Sequence, residues 1–150
     1  MTAFDLAQRY IGVKEISGER NHPLISWWLS LCGFSMDSPD EIAWCSAFVN
    51  GIAWELRLPR SKSAAARSWL AVGIPIEIDR ARPGFDVVIF KRGTGIQPGP
   101  EVLNAPGHVA FFAGIEGNRV LSFGGNQGNV VSMISLPISD ILGVRRLTEA

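Results

Sequence analysis

Apolar residues recur at helical spacing throughout the first half of the chain. The first such segment is amphipathic and stops at Gly12, and the second opens at His22-Pro23, where proline suits a first helical turn. The third is largely apolar and ends before Pro59, and the fourth is rich in alanine and stops at Gly73. The pattern predicts four helices, at residues 3–11, 22–32, 40–56 and 63–72.

The second half of the chain changes to short apolar runs between turn residues. Asp86 to Phe90 has the pattern of a buried strand, and the loop that follows, to Pro106, is long and rich in glycine and proline. Further strands are predicted at residues 108–115, 119–123, 129–136 and 142–147. Helices followed by antiparallel strands predict an α+β fold. No repeat or second domain is visible, so we expect residues 1–150 to form a single domain.

Composition narrows the function classes. A hydrophobic content of 47% with 19% charged residues is typical of a globular protein. Because 14 Lys and Arg balance 14 Asp and Glu, the charge indicates neither a nucleic-acid-binding protein nor one that binds an anionic membrane. The N-terminus lacks the basic and apolar regions of a signal peptide, and no apolar run reaches membrane-spanning length. We therefore expect synthesis in the cytoplasm without a signal peptide.

Cys45 is the strongest candidate for chemistry. It falls in the first turns of the third predicted helix, behind acidic residues typical of a helix start, Asp37, Asp40 and Glu41. Backbone N–H groups and the helix dipole favour a thiolate there, which suits a nucleophile if a histidine lies nearby. The alternative is that Cys45 only fills the core, as free cysteines often do. Cys32 is interpreted as core packing, and no disulfide is expected.

The predicted partner of this thiol is His108, at the start of a strand. If the hairpin after that strand turns through three residues, His108 lies opposite Asn126, which would then orient the imidazole. A two-residue turn would bring Gln127 there instead, because a slip of one residue exchanges the faces of a strand. We favour Asn126, since the neighbouring Gly124-Gly125 leaves room for a substrate chain or for the third helix to approach closely.

The remaining candidates for metal ligation are weak. His22 precedes a proline at a helix start and is interpreted as a helix cap. Two histidines and two cysteines at these separations match no zinc spacing. The acidic residues before Cys45 lack the regular alternation of a calcium-binding loop. We expect neither a metal nor a cofactor.

Taken in order, four segments resemble a known family: Ala43–Val49 with its cysteine, Asp86–Phe90, Gly107–Phe112 with its histidine, and Gly124–Gln127. They resemble the CHAP branch (cysteine, histidine-dependent amidohydrolase/peptidase) of the NlpC-type papain-like superfamily. More narrowly, the chain is similar to small single-domain endolysins and tail lysins of phages and prophages. Two departures are visible. The strand before the histidine usually opens with Gly-Asp, and here it opens with Gly84-Phe85-Asp86. Many relatives carry a glutamate just before the asparagine, and here Gly124 stands in its place.

This resemblance implies a papain-like fold, with N-terminal helices packed on a C-terminal antiparallel sheet and the nucleophile at a helix N-terminus. Cys45 corresponds to the nucleophile, His108 to the general base, and Asn126 falls where the family places its third polar residue. The oxyanion is expected at the backbone N–H groups of the helix start, and the substrate groove at the loop 91–106 and the tryptophan-rich helices. Further candidates for oxyanion stabilisation or groove lining are Trp44, Ser46 and Gln127.

The implied function is peptidoglycan hydrolysis by acyl transfer to a cysteine. The bond cleaved could join muramic acid to L-alanine or lie within the stem peptide or cross-bridge, so amidase and endopeptidase both stay open. The alternatives are a secreted antibacterial effector with the same chemistry, a catalytically inactive wall-binding or virion module, and an intracellular cysteine protease or deamidase.

The implied setting follows from the missing signal peptide. The protein would act in the periplasm or cell wall after release or delivery. Besides peptidoglycan as the substrate, the expected partner is a holin, a phage tail or a secretion machine. No nucleic acid is expected to bind, and the protein is expected to be a monomer.

Overall fold

The computed structural model describes residues 1–16, 22–37 and 43–148. Within them, three helices precede a sheet of six strands, and three short 3₁₀ helices lie at Ala66–Ala71, Ile78–Arg80 and Ile138–Asp140. The helices are α1 (Ala3–Gln8), α2 (Pro23–Ser30) and α3 (Cys45–Glu55). The strands are β1 (Ile74–Ile76), β2 (Asp86–Lys91), β3 (Gly107–Glu116), β4 (Arg119–Gly124), β5 (Ser132–Pro137) and β6 (Ile141–Arg146). The predicted α+β class is confirmed.

The strands form one sheet in the order β1-β6-β2-β3-β4-β5, and all neighbours are antiparallel. Both faces of its centre are buried. The face toward the helices carries Val87, Ile89, Val109, Phe111 and Phe123. The opposite face carries Val88, Phe90, Phe112, Val120 and Val144. Burial on both faces explains why the predicted strand at residues 86–90 is a continuous apolar run instead of an alternating one.

Helix α3 lies in the middle of the core, buried from Cys45 to Ala53. It approaches α2 closely at Gly51, where an added Cβ would lie 2.3 Å from Cδ1 of Trp28. Only glycine permits this contact, so the helix is held by shape as well as by apolar burial. These contacts hold α3 as a whole in place, and its first turn is positioned with it.

Two predicted helices differ from the observed elements. The helix predicted from residue 40 begins only at Cys45, with Trp44 as its N-cap residue, and Asp40 and Glu41 lie outside the described residues. The alanine-rich segment forms a 3₁₀ helix over Ala66–Ala71 instead of an α-helix. Its start is delayed because Ala65 is extended, with φ −74° and ψ 122°, and short helical pieces of this kind are commonly 3₁₀.

Strand β1 was not predicted. It is three residues long, largely exposed, and contains Pro75. It pairs only with β6 at the edge of the sheet, where a proline is tolerated because no second neighbour needs its missing N–H. Among the residues that the structure describes, no helix has both the length and the apolarity needed to cross a membrane.

Candidate active site

Cys45 is the first residue of α3 and is 2% exposed. The first backbone N–H groups of a helix have no acceptor within the helix, and the helix dipole adds partial positive charge to them. The N-cap residue, Trp44, supplies no side-chain cap. The thiol therefore lies beside N–H donors that favour negative charge.

His108 is the second residue of β3 and is 9% exposed. It pairs in register with Phe90, and the two ring centroids are 6.3 Å apart. The Cys45 side chain lies beside this imidazole and the Val109 backbone N–H, and both favour its thiolate form. The structure thus brings the two sequence-predicted residues together.

Gln127 fixes the tautomer of this histidine. Its Oε1 lies 2.8 Å from Nε2 of His108, and its Nε2 donates to the backbone oxygens of Ser122 and Ser132 at 3.2 Å and 2.6 Å. Carbonyl oxygens only accept hydrogen bonds, so the amide nitrogen must face them and the amide oxygen must face the imidazole. His108 therefore carries its proton on Nε2 and turns Nδ1 to Cys45.

The hairpin between β3 and β4 shows how the register arises. Its turn has two residues, since Glu116 pairs with Arg119. A one-residue bulge at Ala113 then shifts the register, so that Phe111 pairs with Phe123, as a three-residue turn would have given. The predicted turn length is wrong, but the predicted register at the histidine end of β3 is restored by the bulge.

The predicted contact between His108 and Asn126 is nevertheless wrong. Strand β4 ends at Gly124, two residues before Asn126 would come opposite the histidine. Asn126 takes a left-handed conformation with φ 57° in the following turn, and its neighbour Gln127, 4% exposed, returns its side chain to the imidazole. The third residue of the cluster is therefore Gln127, which the two-residue turn had offered as the alternative.

The electrostatics of the cluster favour a charge-separated pair. Burial opposes the thiolate, but the hydrogen bond and charge of His108 and the Val109 N–H outweigh it, and the pKa of Cys45 falls below its usual 9.0. Burial likewise opposes the imidazolium, but the contacts with Cys45 and Gln127 raise the pKa of His108 above its usual 6.5. The exposed Arg92 lowers both pKa values. Thiolate and imidazolium therefore stabilise each other.

Two open clefts lie near the cluster, and Arg92 lines both; one is lined by His108 and Gln127 themselves, the other by Gly107, the chain neighbour of His108. One, of about 320 Å³, is walled by small residues: Ala43, Ala64, Ala65, Ala66, Ala105, Pro106 and Gly107. The other, of about 310 Å³, is lined by Lys91, Gly93, His108, Asn126, Gln127, Gly128, Ile134, Leu136 and Asp140. The loop between β2 and β3 contributes residues to both clefts, whereas no tryptophan lines either.

Two predicted groove residues are correspondingly buried. Trp44 is fully buried, stacks on Trp28 with centroids 6.1 Å apart and donates its indole N–H to Glu15 Oε1 at 2.8 Å. An added Cβ on Gly125 would lie 2.7 Å from the Trp44 ring, which confirms the predicted close approach of the helix. Ser46 is also fully buried. Neither side chain can line a groove, because both are enclosed by the core.

Ser46 belongs instead to a second polar network on α3. Its Oγ donates to the Ser63 backbone oxygen at 2.6 Å and accepts the indole N–H of Trp69 at 2.8 Å. Asn50, fully buried one turn further along, donates to the Ser46 backbone oxygen and accepts the Lys62 backbone N–H at 2.9 Å. This network fixes the segment after α3 against the helix.

Arg67 is a buried residue that was not predicted. It is fully buried; Nε donates to the Pro106 oxygen at 2.9 Å, and Nη1 donates to the Gly99 and Val102 oxygens at 2.7 Å and 3.1 Å. These bonds hold the loop between β2 and β3 next to the small-residue cleft. The available sequence signal was a single charge in an alanine-rich apolar segment.

Asp86 is a second buried charge, but it lies outside the cluster. It accepts hydrogen bonds from Arg146 Nε and Nη2 at 2.7 Å and 2.9 Å, and from the Arg82 backbone N–H at 2.9 Å. It stands at the opposite end of β2 from Phe90, the register partner of His108. Its role is therefore to hold β2 and β6 together.

The structure also shows the surroundings of His22 and Cys32 and of the possible metal ligands. His22 caps α2, where its Nδ1 accepts the Leu24 N–H at 3.1 Å, which confirms the prediction. Cys32 is a free, half-buried thiol packed against the core, and burial raises its pKa to about 11. Within residues 1–16, 22–37 and 43–148, no three His, Cys, Asp or Glu side chains are grouped so that they could hold a metal ion.

No protein-family model matches this sequence, and no curated protein matches it. The structure is similar to that of NlpC1 from Trichomonas vaginalis, with a TM-score of 0.55 and 17% sequence identity. The similarity covers 97% of this chain and 42% of the NlpC1 chain, so this chain spans less than half the length of that protein. At this identity the likeness shows a shared fold alone, and it supports an NlpC-type α+β fold.

Proposed function

We propose that this protein is a cysteine hydrolase that cleaves an amide bond of bacterial peptidoglycan. The observation that carries the proposal is that Cys45, at the start of α3, lies beside His108, which is in turn hydrogen-bonded to Gln127. This cluster contains a nucleophile with a lowered pKa, a base in reach of it and a neutral group that orients the base. The NlpC-type fold supports the same chemistry.

In the first half-reaction the Cys45 thiolate attacks the amide carbonyl carbon. A C–S bond forms while the carbonyl electron pair moves onto oxygen, and the backbone N–H groups of the first turn of α3 stabilise this oxyanion. The His108 imidazolium then transfers its Nδ1 proton to the amine nitrogen. The C–N bond breaks, the amine leaves and a thioester remains on Cys45.

In the second half-reaction neutral His108 accepts a proton from water at Nδ1. The resulting hydroxide attacks the thioester carbon, the C–S bond breaks, and the acyl group leaves as a carboxylic acid. Cys45 returns to the thiolate and His108 to the imidazolium. Gln127 keeps the other proton on Nε2 throughout, because its amide orientation is fixed by Ser122 and Ser132.

The substrate is proposed from the shape beside the cluster. The cleft walled by alanines, proline and glycine accommodates an extended peptide with small side chains, such as the alanine-containing stems of peptidoglycan. Both an amidase and an endopeptidase fit this cleft. We further propose that the protein is a phage-type endolysin or tail lysin that reaches the wall through a partner such as a holin or a phage tail.

The experiment is digestion of purified peptidoglycan sacculi from several wall types, with mass spectrometry of the released fragments. Wild-type protein should release fragments whose new termini identify the bond, and Cys45→Ala should release none. Cys32→Ala is the matched control and should behave like wild type. If wild type releases no fragment from any wall type, or if Cys45→Ala remains active, the proposal is wrong.

A further inference from the structure

A large open cavity lies at the opposite end of α3 from Cys45. It measures about 790 Å³ and is lined mainly by Trp54, Arg57, Leu58, Pro59, Arg60 and Lys62. Trp54 is nine residues from Cys45 along the helix, roughly 14 Å at 1.5 Å per residue. This surface, the Trp54 cavity, is therefore separate from the cluster and its two clefts.

The cavity concentrates positive charge in a chain whose net charge is zero. It is lined by Arg57, Arg60 and Lys62, and none of these side chains forms a hydrogen bond or ion pair with another described residue. The one carboxylate in the lining, Glu55, accepts a hydrogen bond from the Tyr10 hydroxyl. The cations are therefore available to an anion from outside the chain.

One of these cations has a buried nitrogen with no acceptor. Nη1 of Arg60 is shielded from solvent and has no hydrogen-bond partner. A buried donor left unpaired is unfavourable, and more so when it is charged. The other two nitrogens of this guanidinium, Nε and Nη2, are not shielded, so they can donate to an anion in the cavity in the geometry that guanidinium groups favour.

The backbone around the cavity contains two residues in an unfavourable conformation. Arg57 and Lys62 have φ values of 57° and 58°, a left-handed conformation that is unusual for residues with a side chain. The Leu58 N–H donates to the Ala53 oxygen at 2.8 Å, and the Lys62 N–H donates to Asn50 Oδ1 at 2.9 Å. Because backbone groups cap the end of α3, the cationic side chains are not needed as caps.

Trp54 adds an aromatic surface to the charge. It is 49% exposed, the most exposed tryptophan among the described residues, and Trp27 packs edge-to-face against it with centroids 5.2 Å apart. An aromatic ring with one face accessible is a platform on which a sugar ring packs. The cavity thus joins an exposed aromatic ring to three cations.

We propose that the Trp54 cavity binds an anionic saccharide, with the sugar ring on Trp54 and its phosphate or carboxylate on Arg57, Arg60 and Lys62. The site does not depend on the chemistry at Cys45. If the proposed function holds, it would retain the enzyme on an anionic polymer of the wall while the cluster cleaves the peptide.

The test is titration calorimetry on the Cys45→Ala protein, in which no turnover is expected, with glucose 6-phosphate, glucuronic acid, glucose and inorganic phosphate as separate probes. The charged sugar that fits should bind at least tenfold more tightly than glucose and than inorganic phosphate. The better of the two charged sugars distinguishes a phosphate from a carboxylate ligand. Affinity should fall as salt is raised, because the contacts are ionic.

The variants test whether binding depends on residues of the Trp54 cavity or only on the positive charge of the protein. Trp54→Ala and Arg60→Gln should each weaken binding at least tenfold, Arg60→Lys should restore part of it, and Arg9→Gln, on the exposed end of α1, should change nothing. Circular dichroism should show each variant folded.

Equal affinity for glucose and both charged sugars, or equal losses in Arg9→Gln and Arg60→Gln, would overturn the proposal. If inorganic phosphate binds as tightly as the charged sugars, the cavity binds a simple anion, and the proposal that it binds a saccharide is wrong. None of these results bears on whether sacculi are cleaved.

Discussion

Helix α3 carries two buried polar networks that differ in one property. The network at Cys45 contains groups that gain or lose protons, and its hydrogen bonds shift their pKa values toward charge. The network at Ser46 and Asn50 is neutral and joins side chains to backbone atoms of the following segment. Cys45 therefore belongs to the titrating network and Ser46 to the neutral one, although the two residues are adjacent in the chain.

The difference shows how burial acts on polar groups. A neutral buried network with its hydrogen bonds made stabilises one arrangement of the chain. A buried titratable pair is stable only while each member supplies the other's charge, so the same burial makes it reactive. We therefore expect changes in the Cys45 network to alter rate, and changes in the Asn50 network to alter stability.

The largest effect should come from His108→Ala. It removes the proton donor of the first half-reaction and the base of the second, so sacculus hydrolysis should fall by about a thousandfold or more. The melting temperature should change little by comparison. Initial rates and thermal unfolding of the same preparation test this, and near-normal activity would break the distinction between the networks.

Asn50→Ala should have the converse effect. It leaves the Lys62 N–H without its acceptor, whereas the Ser61 hydroxyl keeps its hydrogen bonds with Ser63, so the free energy of unfolding should fall by about 1–3 kcal/mol. Activity per folded molecule should stay close to wild type. Urea denaturation measures the first quantity. An unchanged midpoint would mean that the neutral network does not stabilise the fold.

Gln127→Ala should reduce the rate more moderately. One hydrogen bond to a charged group contributes about 1.5–3 kcal/mol, which corresponds to roughly a 10- to 100-fold loss in kcat/KM. Asn126→Ala is the matched control, and its loss should be smaller. The reverse ranking would mean that Asn126, not Gln127, orients the histidine during turnover.

The smallest effect should be a shift in the pH profile. Activity should rise as Cys45 ionises, below the usual thiol pKa of 9.0, and fall as His108 loses its proton, above its usual 6.5. The Gln127 hydrogen bond raises the pKa of His108, so Gln127→Ala should move the alkaline limb to lower pH. Rates across pH for both proteins test this; an alkaline shift in the variant would contradict it.

The residues predicted from the sequence were those whose chemistry is local. A helix start at a cysteine and a histidine at a strand start can be recognised from neighbouring residues alone, and the structure brings both together. The class of fold followed from the change from helical to strand spacing near the middle of the chain. These features depend on periodicity and composition, which a single sequence contains.

The rest depended on contacts between distant residues. The bulge at Ala113 and the end of β4 at Gly124 determine that Gln127 reaches His108. The neighbouring glycines, Gly114 and Gly125, signal an irregularity at both places, but they do not specify the register that results. Likewise, Trp44 is buried by Trp28 and Gly125, which are far away in sequence. Its neighbours along the chain do not show this burial, so the prediction that it lines a groove is wrong. Register, bulges and burial of single aromatic residues are decided by tertiary packing.

The central claim is that His108 holds Cys45 as a thiolate. The most direct measurement is the ultraviolet absorption of the thiolate during a pH titration of Cys32→Ala protein, in which Cys45 is the sole thiol. Cys45 should ionise below pH 9.0, and adding His108→Ala should move its ionisation to higher pH, because the two largest contributions that oppose the effect of burial are then lost. Ionisation of Cys45 above pH 9.0 with His108 present, or a titration unaffected by His108→Ala, would contradict the account.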